Sequence, residues 1–171
     1  SLYMEMLEQA VKSLREGKEP TLDNLLQQQS EVDLKLAALL PEDYIHDVNA
    51  RLGIYKRVAS CANLDDMDEL QVELIDRFGL LPDATKNLFS LQQLKLKASE
   101  LGIKKIEANP KGGYFEFSQH TKVNPSFIIG LIQSAPKVYK MDGANKLRFA
   151  INEANARERL KMVTAMIADF E

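Results

Sequence analysis

Three carboxylates stand out by type and spacing. Glu69, Glu73 and Asp76 recur at intervals of four and three residues. At about 100° per residue they fall within about 60° of one another on one side of a helix. Asp65 and Asp66 lie just before them, and Met67, Leu70, Leu74 and Phe78 fall on the opposite side. Like charges one turn apart cost an isolated helix roughly 0.2–0.5 kcal/mol per pair. The sequence offers no evident compensation beyond the N-terminal helix dipole, which reaches only the first turn. Carboxylates one turn apart have the shape to receive arginine forks from another surface; a plain solvated helix face would carry the same residues. The chemistry implied is recognition of a cationic protein surface.

The means for catalysis are thin. There is no G-x-x-x-x-G-K-[ST] loop to cradle nucleotide phosphates and no G-x-G-x-x-G after a strand. Zinc needs paired Cys/His ligands, and the available residues are Cys61, His46 and His120, scattered along the chain. Asp65-Asp66-Met67-Asp68-Glu69 is acidic but lacks the mid-loop Gly and terminal Glu spacing of a calcium loop. No Ser, His and Asp set has a nucleophile-elbow context. A Cys61/His46 pair is conceivable, but a lone thiol near an apolar helix face is expected to be a small core residue. No catalytic residue, metal site or cofactor is expected.

A second chemistry lies in the charge distribution. The net charge of −3 averages two unlike regions. Residues 1–94 carry nine Lys/Arg against seventeen Asp/Glu, whereas residues 95–148 carry ten against four. Such polarity suggests a charged partner or halves that face different surfaces. Lys95, Lys97, Lys104, Lys105, Lys122, Lys137, Lys140, Lys146 and Arg148 can bind phosphate non-specifically or form a solvated face. The run Lys111-Gly112-Gly113-Tyr114-Phe115-Glu116-Phe117 partly matches an RNA-recognition octamer. Gly113 stands where that motif needs an aromatic, and Glu116 would sit beside phosphates. In a strand, Phe115 and Phe117 share one face and Tyr114 and Glu116 the other, so the expected reading is a hairpin with core phenylalanines.

The elements that must position these residues are legible. Tyr3, Leu7, Ala10 and Leu14 predict a helix over residues 2–16, with Gly17 at its end. Residues 31–36 alternate as a strand, with Val32, Leu34 and Leu36 on one face. Helices are expected at about 47–60, with Val48, Leu52, Tyr55 and Ala59 as its buried stripe, and at about 66–78, between the Asn63/Asp65 cap and Gly79. Pro82, at a first-turn position, starts a helix to Leu101 that Gly102 stops. Ile103–Ala108 and Tyr114–Ser118 read as strands joined by the turn at 109–113. Asn124-Pro125 starts an apolar helix to Ser134. Val138–Met141 and Lys146–Ala150 form a second hairpin around Asp142-Gly143. A last helix, from about 152 to 170, buries Ala156, Leu160, Val163, Ile167 and Phe170. The class is α+β, with helices packed around a small, mostly antiparallel sheet.

The 171 residues, 45% of them hydrophobic and 27% charged, suit one globular domain, or two small ones packed together. The longest apolar run, Phe127 to Ile132, is far short of the ~18 residues a membrane span needs. No signal-peptide pattern is present. A single cysteine precludes an internal disulfide and fits a reducing, cytoplasmic setting. A helix at the very start, with no initiator Met, reads as a cut within a longer polypeptide.

Several blocks carry a resemblance. Ser1-Leu2-Tyr3-Met4-Glu5-Met6-Leu7-Glu8, Leu39-Leu40-Pro41-Glu42-Asp43-Tyr44-Ile45 and Arg51-Leu52-Gly53-Ile54-Tyr55-Lys56-Arg57 are followed by Val72-Glu73-Leu74-Ile75-Asp76-Arg77-Phe78-Gly79-Leu80-Leu81-Pro82 and Leu101-Gly102-Ile103. In this order they resemble the C-terminal domain of the bacterial transcription-repair coupling factors, over essentially the whole chain. The resemblance implies one regulatory domain over residues 1–171, with the 1–16 helix leading out of an upstream motor module. It implies that ATP and Mg serve that motor and not this segment, which performs no reaction. It implies docking on the same protein's UvrB-like module, which hides the UvrA-binding surface and restrains the DNA translocase, with RNA polymerase an indirect partner. The family's acidic contacts to arginines map onto Glu73 and Asp76, and Glu69 extends that set by helix geometry. No DNA or membrane contact by this domain is expected on this reading. The alternative is a nucleic-acid-binding module using the basic region 95–148.

Overall fold

The computed structural model describes residues 30–152 and 155–171. The expected helix over residues 2–16 lies outside them. The class is α+β: among the described residues there are five helices and one five-stranded sheet. These residues divide into two compact units, one of residues 37–93 and one of residues 30–36 and 94–171.

The first unit is helical. Asp47 caps α1 (Val48–Ser60) by accepting from the Ala50 amide. Asn63 caps α2 (Leu64–Phe78), and the turn at Pro82 leads into α3 (Asp83–Leu101), whose first part, to Gln93, belongs here. Pro82 sits at the cap and not inside the first turn, its carbonyl accepting from the Lys86 amide at 2.9 Å. Ile54, Val58 and Cys61 of the α1 region, Met67, Leu70 and Leu74 of α2, and Phe89 of α3 are buried. The expected α1 stripe is corrected here. Val48 and Leu52 are exposed, and the buried face is Ile54 and Val58. Two apolar stripes with helical spacing coexist on α1, and periodicity alone does not choose between them. Buried polar groups are satisfied: Thr85 donates to the Leu39 carbonyl at 3.0 Å, and the Leu40 amide donates to the Tyr55 hydroxyl at 2.8 Å.

The second unit holds the sheet, with strand order β1-β2-β3-β5-β4. Its strands are β1 (Glu31–Asp33), β2 (Ile103–Asn109), β3 (Gly112–Phe117), β4 (Tyr139–Asp142) and β5 (Lys146–Ala150). β1 runs parallel to β2, and every other pairing is antiparallel. One face carries Ile106, Ala108, Phe115, Phe117, Leu147 and Phe149, all buried. α5 (Ala156–Phe170) adds Val163, Ile167 and Phe170 to this core. The Phe170 ring lies 5.1 Å from Phe115, 6.2 Å from Phe117 and 5.8 Å from Phe127 of α4 (Pro125–Ser134).

Three expectations are corrected in this unit. The strand expected over 31–36 stops at Asp33, because the Asp33 carboxylate accepts from the Lys35 amide and Lys35 turns left-handed at φ 54°. The first hairpin is tighter than expected: Asn109 and Gly112 are paired, leaving only Pro110-Lys111 as the turn. The last helix begins at Ala156, after the Asn155 cap, and its first buried position is Arg159 and not Leu160. The Arg159 guanidinium donates to the Leu34 carbonyl at 3.0 Å and the Lys35 carbonyl at 2.8 Å.

Candidate functional site

α2 presents the acidic face. Its start is fixed by Asn63, whose side chain accepts from the Asp66 amide at 2.8 Å, while Asp66 accepts from the Ala62 amide at 3.1 Å. The carboxylates of Asp65 and Asp66 sit in the first turn, where the helix dipole favours them. Gly79, at φ 96°, ends the helix in a conformation that L side chains rarely adopt. The Tyr44 hydroxyl donates to the Gly79 carbonyl at 2.8 Å, and its ring lies 5.9 Å from that of Phe78. Met67, Leu70 and Leu74 anchor the inner side, so helix geometry turns Glu69, Glu73 and Asp76 outward together.

The three carboxylates are not equivalent. Glu73 receives a two-nitrogen grip from Arg57 of α1, with the Arg57 Nη2 to Glu73 Oε1 distance at 3.0 Å, and a further bond from Arg77 Nη1 at 3.2 Å. Hydrogen bonding from Arg57, reinforced by Arg77, holds the Glu73 carboxyl below its ordinary value. This overturns the expectation that nothing nearby compensates the acidic stripe. Arg77 was within reach of sequence reasoning, since it stands four residues after Glu73 and such pairs meet on a helix. Arg57 was not, because only the packing of α1 against α2 brings it there. Glu69 and Asp76 are exposed and make no ion pair among the described residues. Val72 is 58% exposed and Ile75 39%, so apolar surface lies beside the two free carboxylates.

The other candidates resolve differently. Cys61 is buried, its thiol donates to the Arg57 carbonyl at 3.3 Å, and burial pushes its pKa up, which disfavours the nucleophilic thiolate. His46 and His120 are exposed. No group of three or more His, Cys, Asp or Glu among the described residues is placed to hold a metal ion. No helix among them is long and apolar enough to cross a membrane. Phe115 and Phe117 lie in the core, and Tyr114 and Glu116 stand on the opposite sheet face. Several cations of the basic region are paired: Lys97 with Glu171, Lys105 with Glu31 and Glu107, and Arg148 with Asp142.

Comparison with known proteins gives consistent matches. The model of the TRCF domain family matches residues 34–128. A transcription-repair-coupling factor of Escherichia coli K12 is 46% identical over 171 residues, which is 100% of this chain and 15% of that protein. One of Haemophilus influenzae is 49% identical over 167 residues, 98% of this chain and again 15% of the relative. The chain thus spans about 15% of the length of these curated relatives. A crystal structure of the C-terminal domain of a transcription-repair coupling factor superposes with a TM-score of 0.68 at 23% identity, covering 85% of this chain and 96% of that one, which supports the fold.

Proposed function

The chain belongs to the TRCF domain family, and from that premise we propose that it is a non-catalytic regulatory domain of a cytoplasmic transcription-repair coupling factor. On this reading it docks through α2 on the UvrB-like module of the same protein. Docked, it covers the surface that would bind UvrA and restrains the ATP-driven translocase; engagement of RNA polymerase opens the latch.

The observation that carries the reading is the pair Glu69 and Asp76, exposed and without ion pairs among the described residues, on either side of a Glu73 already held by arginines. The pair offers open acceptors for arginine forks. Glu73 offers a partner arginine only an exchange with Arg57 or Arg77, so its docking contribution is smaller than that of its neighbours. A latch needs only a small differential, since a hundredfold population shift corresponds to ~2.7 kcal/mol. Tethering raises the effective concentration, so weak contacts suffice to hold it closed.

The test is titration calorimetry of this chain against the isolated UvrB-like module of its parent. Glu69→Arg combined with Asp76→Arg is expected to weaken binding at least about tenfold, the effect of ~1.4 kcal/mol, with an unchanged circular dichroism spectrum. Equal affinity for wild type and variant would remove the assignment of α2 as the docking face.

A further inference from the structure

The sheet face opposite the core carries two cross-strand rows of polar residues. One row runs Glu31, Lys105, Glu116, Lys146, Asp142 from β1 to β4, and alternates in sign at every step. Opposite charges across a strand pair attract one another, as Lys105 and Glu31 do at 3.8 Å, so no excess of one sign builds up along this row. The neighbouring row runs Asp33, Glu107, Tyr114, Arg148, Lys140. Here the signs are sorted, with both acids at the β1/β2 end and both cations at the β5/β4 end. The acidic end is occupied: Asp33 binds Lys35 at 2.8 Å, and Glu107 accepts from the Tyr114 hydroxyl at 2.8 Å and lies 3.7 Å from Lys105.

The cationic end opens onto a cleft of about 450 Å³ lined by Lys111, Lys137, Lys140, Arg148 and Val138 and, towards the acidic end, by the Tyr114–Glu107 pair, whose carboxylate is already engaged. Lys111, Lys137 and Lys140 are exposed, and none makes an ion pair among the described residues. Arg148 is bridged to Asp142 at 2.7 Å and lies over the Tyr114 ring at 5.6 Å, which leaves its position fixed and the lysines free. Three unpaired lysines around one concavity repel one another, and an anion relieves that repulsion.

The geometry points to this corner as a docking site for the sugar–phosphate backbone of nucleic acid. The free cations are lysines on flexible stems, point charges without the arginine fork that selects a defined anion. Val138 is the one exposed large apolar side chain in the lining among the described residues, and an acidic protein segment would need more apolar anchorage than that. Repeated phosphates read by charge alone suit the site better. The inference departs from the expectation of no DNA contact, because four of the ten cations of the basic region, Lys111, Lys137, Lys140 and Arg148, line one cleft. It is independent of α2 and of the proposed latch.

The test is fluorescence anisotropy of this chain with two labelled 20-base-pair duplexes of unrelated sequence, at 50 and 200 mM salt. Three phosphate contacts give a slope of about −2.7 in log K against log salt, and so a loss of about 40-fold across that range. Lys137→Ala and Lys140→Ala are each expected to reduce the slope by about 0.9, equally for both sequences. Absence of binding at 50 mM, or binding that neither substitution weakens, overturns the site. Binding of a poly-glutamate peptide as tight as the duplex overturns the choice of nucleic acid.

Discussion

Arg57, in the last turn of α1, holds both carboxylate oxygens of Glu73 on α2. The middle member of the acidic stripe therefore works within the fold, joining two helices of one unit, while its neighbours Glu69 and Asp76 face outward without ion pairs among the described residues. Residues that look interchangeable by spacing divide into one held within the fold and two left exposed once α1 is in place.

That division has a pH signature. The Glu73 carboxyl lies below its ordinary value of 4.5, first through hydrogen bonding from Arg57 and then from Arg77. A depressed pKa means stabilisation that is full above the ordinary carboxylate range and is lost as pH falls through the lowered value. Glu73→Gln is expected to lower the melting temperature at pH 7 and to have no effect near pH 2. Thermal melts across that range check it; a difference that persists at low pH would assign the effect to something other than charge pairing.

Arg159 supplies a second stability prediction. It is 4% exposed, and its guanidinium ties the Leu34 and Lys35 carbonyls, from just past β1, to the first turn of α5. Arg159→Ala removes these bonds and leaves the Leu34 carbonyl without its donor, a loss of about 2–4 kcal/mol for hydrogen bonds from a charged group. Chemical denaturation should show the drop, with the amides of residues 31–33 losing hydrogen-exchange protection first.

Gly113 tests the sheet. A Cβ there would stand 1.9 Å from the Glu107 carbonyl oxygen and 2.7 Å from the Ala108 Cα. Both are backbone atoms of the neighbouring strand, so no side chain can move aside. Gly113→Ala is expected to cost about 3 kcal/mol, the upper range for overpacking, measured by urea unfolding. Gly143→Ala meets no atom within 4 Å, although its φ of 77° carries a conformational penalty of its own, so it should cost less.

Much of this fold was legible because local signals agreed with tertiary ones. The Asn63, Asn124 and Asn155 caps each accept a backbone amide where the sequence put a helix start or close to it. The alternation at Phe115 and Phe117 fixed the sheet's inner face. What failed depends on long-range packing. The burial of Ile54 in place of Leu52 follows from which side of α1 meets its neighbours. The pairing of Glu73 with Arg57 joins residues on different helices. The buried Arg159 replaces an apolar position in a regular pattern, and its partners lie some 125 residues away in sequence. The sorted charges of the sheet face need strand order and register, which no local pattern contains.

Cys61 offers a direct chemical check. Its thiol is buried, donates to the Arg57 carbonyl and has a pKa raised by burial. Reaction with a disulfide reagent at pH 8 is expected to be at least about tenfold slower in native protein than in urea, since thiolate and access are both required. Equal rates would place the thiol at the surface.

The parallel pairing of β1 with β2 bears on how the chain assembles. Val32 pairs in register with Ile106, 74 positions further along the chain, and the helical unit of residues 37–93 lies between them in sequence. The β2–β3 and β4–β5 hairpins close through near neighbours and β3 meets β5 across a shorter stretch of chain, so these strands can form early, whereas β1 must wait for a longer loop to be drawn together. The three-residue β1 is thus a late-arriving edge, fastened by Arg159 and by the Ser30 hydroxyl on the Ile103 carbonyl at 2.6 Å. A nascent chain on the ribosome would hold that edge open until α5 emerges to lock it.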